Sequence, residues 1–314
     1  MKLKPQFDRA RSVVPYVIVN NQELQIHAGL HKTGSTSLQR GLMHLGMLYP
    51  SVRSDFRDSA NFRRLLQGAR HNFQVLSSEH ILGEMLDLYS SAKSRLGQIA
   101  SCDFRSRIIV YLRPHLEWHT SIGSQLIQQG SFRQFDEYFE RLPHQNYLSL
   151  QSFSEDLIDA STSRMRVEIR VASNVVRDFG QRTGLRIKES GRANPSLSPI
   201  ALLALRELSQ MGYAPHRILR HALIGFAEES RGVCSILTTS QQEHLKECRT
   251  DWVGTLGIIS NAKSEYASLT PAAYERKVLP HACDLFSNSV LSDAIEHIAV
   301  FMRTHSSSPS FDQP

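Results

Sequence analysis

The apolar residues in the first 190 positions predict strands that alternate with helices. Short apolar runs predict strands at 24–28, 73–77, 107–112 and 166–172. The run at 107–112 is continuous and rich in β-branched residues, which is typical of a parallel strand buried on both faces. Helical spacing predicts helices at 35–48, 59–69, 81–96, 115–129, 132–141, 147–159 and 175–183. This alternation predicts an α/β fold with a parallel sheet flanked by helices, and sites at the carboxyl ends of its strands.

The remaining third of the chain has a different pattern. From residue 197 the spacing is mostly helical, and it predicts helices over 198–211, 217–229, 240–259 and 284–303. Residues 1–22 are polar and basic apart from a short apolar patch, so we predict an N-terminal extension with an edge strand at 16–19. The Ser- and Pro-rich residues 306–314 predict a disordered tail. We therefore predict one domain over 23–305.

The most informative segment is residues 26–39, where an apolar strand leads into a glycine-bounded loop and then a helix with hydroxyl residues. Backbone amides in such a loop, together with the helix N-terminus, cradle phosphate-like anions. Gly29 and Gly34 have the spacing of the nucleotide motif G-x-x-x-x-G-K-[ST], but Ser35 follows Gly34 and Lys32 lies inside the loop. This position argues against a P-loop kinase or ATPase, in which the lysine follows the second glycine.

The segment from His27 to Thr36 resembles the 5′-phosphosulfate-binding loop of sulfotransferases that use 3′-phosphoadenosine 5′-phosphosulfate (PAPS) as donor. The resemblance implies a three-layer P-loop-type fold, in which Lys32 contacts the oxygen that bridges phosphate and sulfate. It also implies that amides around Gly34, Ser35 and Thr36 hold the 5′-phosphate. Gly29 and Thr33 belong to the same loop. The alternative is an ordinary glycine turn between a strand and a helix.

A second motif lies at the end of the strand 107–112. Arg113 ends the strand, and Ser121 lies eight residues later on the next helix. A guanidinium offers a fork of donors suited to phosphate. The pair resembles the 3′-phosphate motif of the same family, although either residue alone is common. The segment from Arg192 to Pro199 is a weaker resemblance to a nucleotide- or acceptor-facing loop; Ser198 and Pro199 also read as a helix N-cap with proline following it.

Sulfuryl transfer needs a group that stabilises the leaving oxygen and a base that accepts the acceptor proton. Lys32 is the candidate for the first role, with His31 sharing it or contacting the acceptor; His31 facing solvent is the alternative. Glu79 is the first candidate for the base and His80 the second, because both follow a predicted strand. A glutamate at a helix start, stabilised by the helix dipole, is the alternative for Glu79.

A metal site is not expected. His115 and His119 are four residues apart on a predicted helix, but the sequence between them lacks the H-E-x-x-H pattern and no third ligand is evident. We expect these two histidines to line the cleft or to lie in solvent.

Composition agrees with a protein that binds a small polyanion. The 314 residues carry a formal net charge of +6, but the basic residues are scattered and form no run typical of a nucleic-acid-binding arm. The four cysteines are far apart and predict free thiols in a reducing compartment. No secretory signal and no window of about 18–20 apolar residues is present, so we expect a cytoplasmic protein without a membrane span.

The sequence thus predicts a PAPS-dependent sulfotransferase. Its acceptor would be a small molecule or glycan carrying a hydroxyl or an amine, and a carbohydrate is the class that we favour. The alternatives are a P-loop kinase-like enzyme and a non-catalytic nucleotide-binding protein that keeps the fold. The oligomeric state is not predicted by any pattern in the chain.

Overall fold

The structure, a computed structural model, describes most of the chain. The described residues are 23–31, 33–51, 53–56, 58–72, 74–141, 149–172, 174–188, 196–213, 216–259, 274 and 277–305. Four predictions lie outside them: the extension 1–22 with its edge strand, Lys32, Arg192 and the tail 306–314.

A four-stranded parallel sheet forms the centre of the fold. Its strands are β1 (Glu23–His27), β2 (Leu76–Ser77), β3 (Arg105–Tyr111) and β4 (Met165–Arg170). They lie in the order β2-β1-β3-β4, and every pairing is parallel. His27 at the end of β1 is in register with Ser77 of β2 and Ile109 of β3. The loop after β1 therefore leaves the sheet between the ends of two neighbouring strands.

Helices cover both faces of this sheet and make up most of the described C-terminal third. Their bounds are α1 (Ser35–His44), α2 (Ser59–His71), α3 (Ala92–Ala100), α4 (His115–Gln128), α5 (Phe132–Arg141), α6 (Leu150–Asp159), α7 (Val175–Thr183), α8 (Pro199–Gln210), α9 (His216–Ala222), α10 (Thr239–Glu247), α11 (Arg249–Ile258), α12 (Ala282–Leu285) and α13 (Asn288–His305). The predicted α/β class and the mostly helical C-terminal third are confirmed.

Alternating residues of β3 serve two hydrophobic cores. Ile109 and Tyr111 pack in a smaller core with apolar residues of α1 and α7. Ile108 and Val110 pack in the larger core with residues of α2, α4, α6 and α8. Successive side chains of a strand point to opposite faces, so a strand covered on both faces must be apolar at every position. This explains the unbroken apolar run in the sequence.

The predicted helix over 81–96 is wrong in its first eleven residues. Gly83 has φ +124°, and Leu88 and Tyr89 have φ values of +48° and +55°. These left-handed conformations cannot continue a right-handed helix. The α-helix begins only at Ala92, after a short 3₁₀ turn at Met85–Asp87. The segment 81–91 is instead a folded loop beside the end of β1.

Several predicted boundaries are also wrong. The helix predicted at 35–48 ends at His44, because Gly46 adopts φ +68°. The strand predicted at 73–77 is reduced to Leu76–Ser77 within the described residues. The helix predicted at 240–259 is divided at Cys248, which ends α10 and precedes α11. The patterns at 217–229 and 284–303 likewise overestimate single helices, since the first ends at Ala222 and the second is two helices.

Two predictions about the whole chain are confirmed in part. All four cysteines are free thiols, three of them buried. Within the described ranges, none of the helices is both long enough and apolar enough to cross a membrane.

Candidate active site

The loop after β1 turns into α1 through a left-handed glycine. Gly34 has φ +96° and ψ 9°, and its carbonyl accepts hydrogen bonds from the amides of Ser37 and Leu38. A residue with a side chain would be strained at this φ. Ser35 starts the helix, so its amide and that of Thr36 lie in the first turn, where amides lack intrahelical partners. Such amides are the usual donors to a bound anion.

Buried polar atoms surround Gly29 on the inner side of this loop. A Cβ at Gly29 would lie 2.6 Å from Oγ of Ser35 and 2.9 Å from Nε2 of His27. Both atoms are buried, and neither has a hydrogen-bond partner among the described residues. Buried polar atoms are nearly always hydrogen-bonded in native proteins. The loop interior therefore presents hydrogen-bonding capacity that the described part of the chain leaves unused.

His27 lies beside Gly29 as a neutral ring. Burial lowers the pKa of His27 to about 3, so the imidazole carries no charge near neutral pH. Its Nδ1 is 2.9 Å from Oγ of Ser77 on the neighbouring strand. This contact fixes the ring orientation and directs Nε2 toward the Gly29 side of the loop.

His31 is held firmly beside Lys32 in the chain. It is buried, and its backbone N–H donates to the hydroxyl of Tyr89 at 2.9 Å. Its Nδ1 is also 2.9 Å from that hydroxyl, and its carbonyl accepts from Nε1 of Trp118 at 3.0 Å. Burial raises the pKa of Tyr89 well above its usual value, so the phenol stays protonated. The alternative of a solvent-facing His31 is wrong.

A cavity of about 580 Å³ opens beside the first turn of α1. Glu79 and His80 line it, together with Thr36, whose side chain is exposed. The remaining lining residues are Gln39, Met43, Leu48, Tyr49, Pro50, Ser51, Ser77 and Ser78. The structure thus brings both candidate bases to one cavity with Thr36, which follows the glycine-bounded loop.

Glu79 does not start a helix, so the alternative interpretation of this residue is wrong. It lies in the turn that follows β2, and the next α-helix begins at Ala92. The neighbouring His80 has its Nδ1 3.4 Å from Oε1 of Glu84. A carboxylate at this distance can orient an imidazole ring.

Arg113 lies at the same edge of the sheet as the glycine-bounded loop, but neither Arg113 nor Ser121 lines this cavity. Arg113 follows the end of β3 by two residues, and β3 is the parallel neighbour of β1. Ser121 lies on α4, which begins at His115. Both side chains are half-buried, and neither is among the residues that line the 580 Å³ cavity. Any ligand that contacts Arg113 as well as the cavity must extend across the end of β1.

His115 and His119 are buried completely, which contradicts the expectation that they line the cleft or face solvent. Nδ1 of His115 is 3.0 Å from the hydroxyl of Tyr274, and its Nε2 is 3.1 Å from Oδ2 of Asp251. Nδ1 of His119 is 2.8 Å from the hydroxyl of Tyr138. Burial lowers the pKa of His119 well below its usual value. These contacts join α4 to other elements of the helical region and indicate a structural role.

The segment near Arg192 is described only in part. Ser198 is the N-cap of α8: its Oγ accepts from the amide of Ala201 and donates to the carbonyl of Phe226 at 2.7 Å. Pro199 is the first helical residue, as predicted. The N-cap prediction is confirmed, and Ser198 is buried away from the cavity residues.

Sequence reasoning missed Glu84, Tyr89 and Trp118. Glu84 lies four residues after His80, and this spacing was a readable signal. Tyr89 and Trp118 are 58 and 87 residues from His31 in sequence, and no local pattern marks their contact with it.

Comparison of the chain with protein-family models, curated proteins and solved structures gave no match. The candidate function therefore depends on the residues and geometry described above.

Proposed function

We propose that this protein transfers a sulfuryl group from PAPS to a hydroxyl or amine of an acceptor, with carbohydrates as the favoured class. The observation that carries the proposal is a pair of buried atoms beside Gly29, Oγ of Ser35 and Nε2 of His27, which have no partners among the described residues. A bound phosphate would supply acceptor oxygens at this point. The three-layer P-loop-type fold is part of the same proposal.

The donor would lie across the end of β1. Its 5′-phosphate would contact the loop amides at Gly34, Ser35 and Thr36, and its 3′-phosphate would contact Arg113 and Ser121. This division is supported by the parallel pairing of β1 with β3, since both strands deliver their following residues to one edge of the sheet. A nucleotide with phosphate groups at two positions of its ribose uses both motifs.

In the transfer step the acceptor oxygen or nitrogen attacks sulfur. A bond forms from the acceptor to sulfur, and the bond from sulfur to the bridging oxygen breaks. The electron pair leaves on the phosphate of 3′-phosphoadenosine 5′-phosphate, where Lys32 would neutralise the growing charge. The acceptor proton passes to Glu79, or alternatively to His80. Both line the cavity beside the first turn of α1, which is where an acceptor would enter.

Binding of nucleotides provides the first test, with Arg113→Ala as the variant and Arg105→Ala as its matched control. Arg105 is exposed at the amino end of the same strand, far from the proposed site. Isothermal titration should show that the wild type binds 3′-phosphoadenosine 5′-phosphate without metal. Loss of Arg113 should weaken binding about 10- to 100-fold, because a charged hydrogen bond contributes about 1.5–3 kcal/mol. The control should bind like the wild type.

A ligand without the 3′-phosphate makes the test more specific. Adenosine 5′-phosphosulfate should bind the wild type and Arg113→Ala equally, since the proposed contact is missing from both complexes. An equal loss of affinity for both ligands would mean that Arg113 supports the folded structure and does not contact the 3′-phosphate.

Turnover is tested with radiolabelled PAPS and a panel of carbohydrate, phenol and amine acceptors. Label should move to at least one acceptor class. Stabilisation by ATP with magnesium and not by 3′-phosphoadenosine 5′-phosphate would support a kinase-like enzyme instead. Nucleotide binding without transfer to any acceptor would support the non-catalytic alternative.

A further inference from the structure

Three side chains of types that can ligate a metal lie close together next to the glycine-bounded loop. His31 follows β1, whereas His80 and Glu84 belong to the turns after β2. One ligand atom from each residue lies within 4.8 Å of the other two. Nδ1 of His80 and Oε1 of Glu84 are already 3.4 Å apart. This is about the separation of two ligands in a tetrahedral zinc site, given metal–ligand bonds of about 2.0–2.2 Å.

Two of the three ligands have partly exposed side chains, which would adjust when an ion binds. His31 is buried, but the side chains of His80 and Glu84 are 26% and 38% exposed. Small rotations of these two partly exposed side chains would bring their ligand atoms toward the buried imidazole. The buried residue would then be the fixed ligand, and the other two would complete the site from the surface.

The contact between His31 and Tyr89 has the form of an outer-shell contact of a metal site. Ligating histidines usually hold a hydrogen bond on the ring nitrogen that does not bind the metal. Tyr89 lies 2.9 Å from Nδ1 of His31, so Nε2 is the ring nitrogen that would bind the metal. Tyr89 also accepts the backbone N–H of His31, so both the ring and the main chain of this residue are fixed.

The conformation of the loop 81–91 explains why these groups meet. Left-handed residues at Gly83, Leu88 and Tyr89 replace the helix that the sequence pattern predicts. Their turns place Glu84 beside His80 and Tyr89 beside His31. Backbone conformations of this kind are costly and concentrate at functional sites.

We propose that His31, His80 and Glu84 bind one Zn²⁺ ion. Two imidazoles and one carboxylate form the His₂Glu set that is used by catalytic zinc sites, which keep a fourth position open to water or substrate. His80 also lines the 580 Å³ cavity, so the open position would be reached from there. The proposal departs from the sequence expectation that no metal is bound, and it does not depend on sulfuryl transfer.

The test measures metal binding by the full chain, free of any affinity tag and stripped with chelator. Zn²⁺ affinity is determined by competition with a chromophoric chelator, and Co²⁺ is added separately to record its visible absorption. We expect one Zn²⁺ per chain and a Co²⁺ spectrum of low coordination number. His80→Ala and Glu84→Gln should each weaken Zn²⁺ binding about 100-fold or more, and Tyr89→Phe about 10- to 100-fold.

The double variant His244→Ala, Glu247→Gln is the matched control. His244 and Glu247 form another His–Glu pair, with Nδ1 and Oε2 3.5 Å apart on α10, and they belong to no cluster of three ligands among the described residues. This variant should bind Zn²⁺ like the wild type. Circular dichroism and thermal melting show whether each variant is folded; His80 and Glu84 are partly exposed, so their variants should fold.

Two results would overturn the zinc site. One is a wild-type chain that takes up less than one Zn²⁺ at micromolar concentrations. The other is unchanged affinity in folded His80→Ala and Glu84→Gln variants. If the chain binds zinc but does not bind 3′-phosphoadenosine 5′-phosphate, the result would support the zinc site and would contradict the proposed function alone.

Discussion

Buried carboxylates beside β3 and β4 are bonded to donors of the protein, whereas two buried polar atoms beside the end of β1 have no partner among the described residues. Beside β3 and β4, Glu168 accepts hydrogen bonds from Arg107 at 2.6 Å and from Arg182 at 2.9 Å. Asp178 accepts from Arg170 at 2.6 Å and from Tyr111 at 2.8 Å. The carboxylates on this side thus have charged or phenolic donors within the protein.

Beside the end of β1, two buried polar atoms lack such compensation, as does Oγ of Ser106 on β3. Oγ of Ser35 and Nε2 of His27 have no hydrogen-bond partner in the described part of the chain. The candidate base Glu79 and the candidate ligand His80 border an open cavity. An unsatisfied buried group costs stability, so it persists where something else, such as a ligand, satisfies it. We therefore expect the ion pairs on the β3–β4 side to contribute to stability, and we expect the proposed ligand to bind on the β1–β2 side.

The largest effect is expected from Glu79→Gln, which tests the assignment of chemistry to the β1–β2 side. Loss of a general base typically lowers turnover by about 10²- to 10⁴-fold. Affinity for 3′-phosphoadenosine 5′-phosphate should change less than about twofold, because amide and carboxylate have the same shape. Initial rates with labelled PAPS and calorimetry measure the two quantities. Glu243→Gln, at an exposed position on α10, should change neither. Turnover within a few-fold of wild type would exclude Glu79 as the base.

Glu168→Gln tests the β3–β4 side, and its effect should appear in stability. Breaking a buried ion pair leaves charges without compensation and costs about 3–5 kcal/mol; since Arg182 is 36% exposed, we expect about 3 kcal/mol. Urea denaturation near pH 7 measures this loss. Nucleotide affinity of the folded variant should match that of the wild type. A loss of affinity in the folded variant would contradict the claim that the β3–β4 side contributes only to stability.

The pH dependence of stability is a second way to test the role of Glu168 on the β3–β4 side. Burial alone would raise the pKa of Glu168, but hydrogen bonds from Arg182 and Arg107 outweigh it and hold the pKa below its usual value. A carboxyl with a lowered folded pKa stabilises the fold fully above its unfolded pKa, about 4.3 for glutamate. This contribution is lost as the pH falls through the folded pKa. Stability of the wild type should therefore fall more steeply below about pH 4 than that of Glu168→Gln.

The smallest effects compare two glycines. A methyl group at Gly29 would lie 2.6 Å from Oγ of Ser35, so Gly29→Ala should destabilise the protein by about 1–3 kcal/mol and abolish nucleotide binding. Gly97, on α3, has open space at its Cβ position, and Gly97→Ala should stabilise the protein by about 0.5–1 kcal/mol. Thermal melting with and without nucleotide measures both. Normal nucleotide binding by Gly29→Ala would contradict the proposed role of the loop at Gly29.

The parts of the fold that could be predicted are those encoded by local pattern. The strand around 107–112 and the helices at 115–129, 132–141 and 175–183 lie close to their predicted positions, because continuous apolar runs and helical spacing report burial directly. Ser198 followed by Pro199 predicted the start of α8 through a local N-cap. The position of the glycine-bounded loop between the carboxyl end of β1 and the start of α1 likewise followed from the alternation of strands and helices.

The errors occur where long-range contacts outweigh local pattern. The residues from Ile81 to Ser91 have helical spacing, but Tyr89 contacts His31 and Trp118. The backbone adopts left-handed conformations at Leu88 and Tyr89, which a helix would not allow. His115 and His119 have the polarity of surface residues, but both are buried, with Asp251 beside His115 and Tyr138 beside His119. Neither outcome could be read from neighbouring residues.

By itself the sequence determined the α/β class, the glycine-bounded loop with its displaced Lys32, and the order of Arg113 and Ser121 after it, because spacing and residue type encode these features locally. Tertiary structure decided which polar groups have partners. It paired His31 with Tyr89 and placed His80 and Glu84 beside His31. It also left Oγ of Ser35 and Nε2 of His27 beside Gly29 without partners among the described residues. The physical reason is that a hydrogen bond or a ligand cluster depends on distances between atoms, and only the packing of remote segments sets those distances.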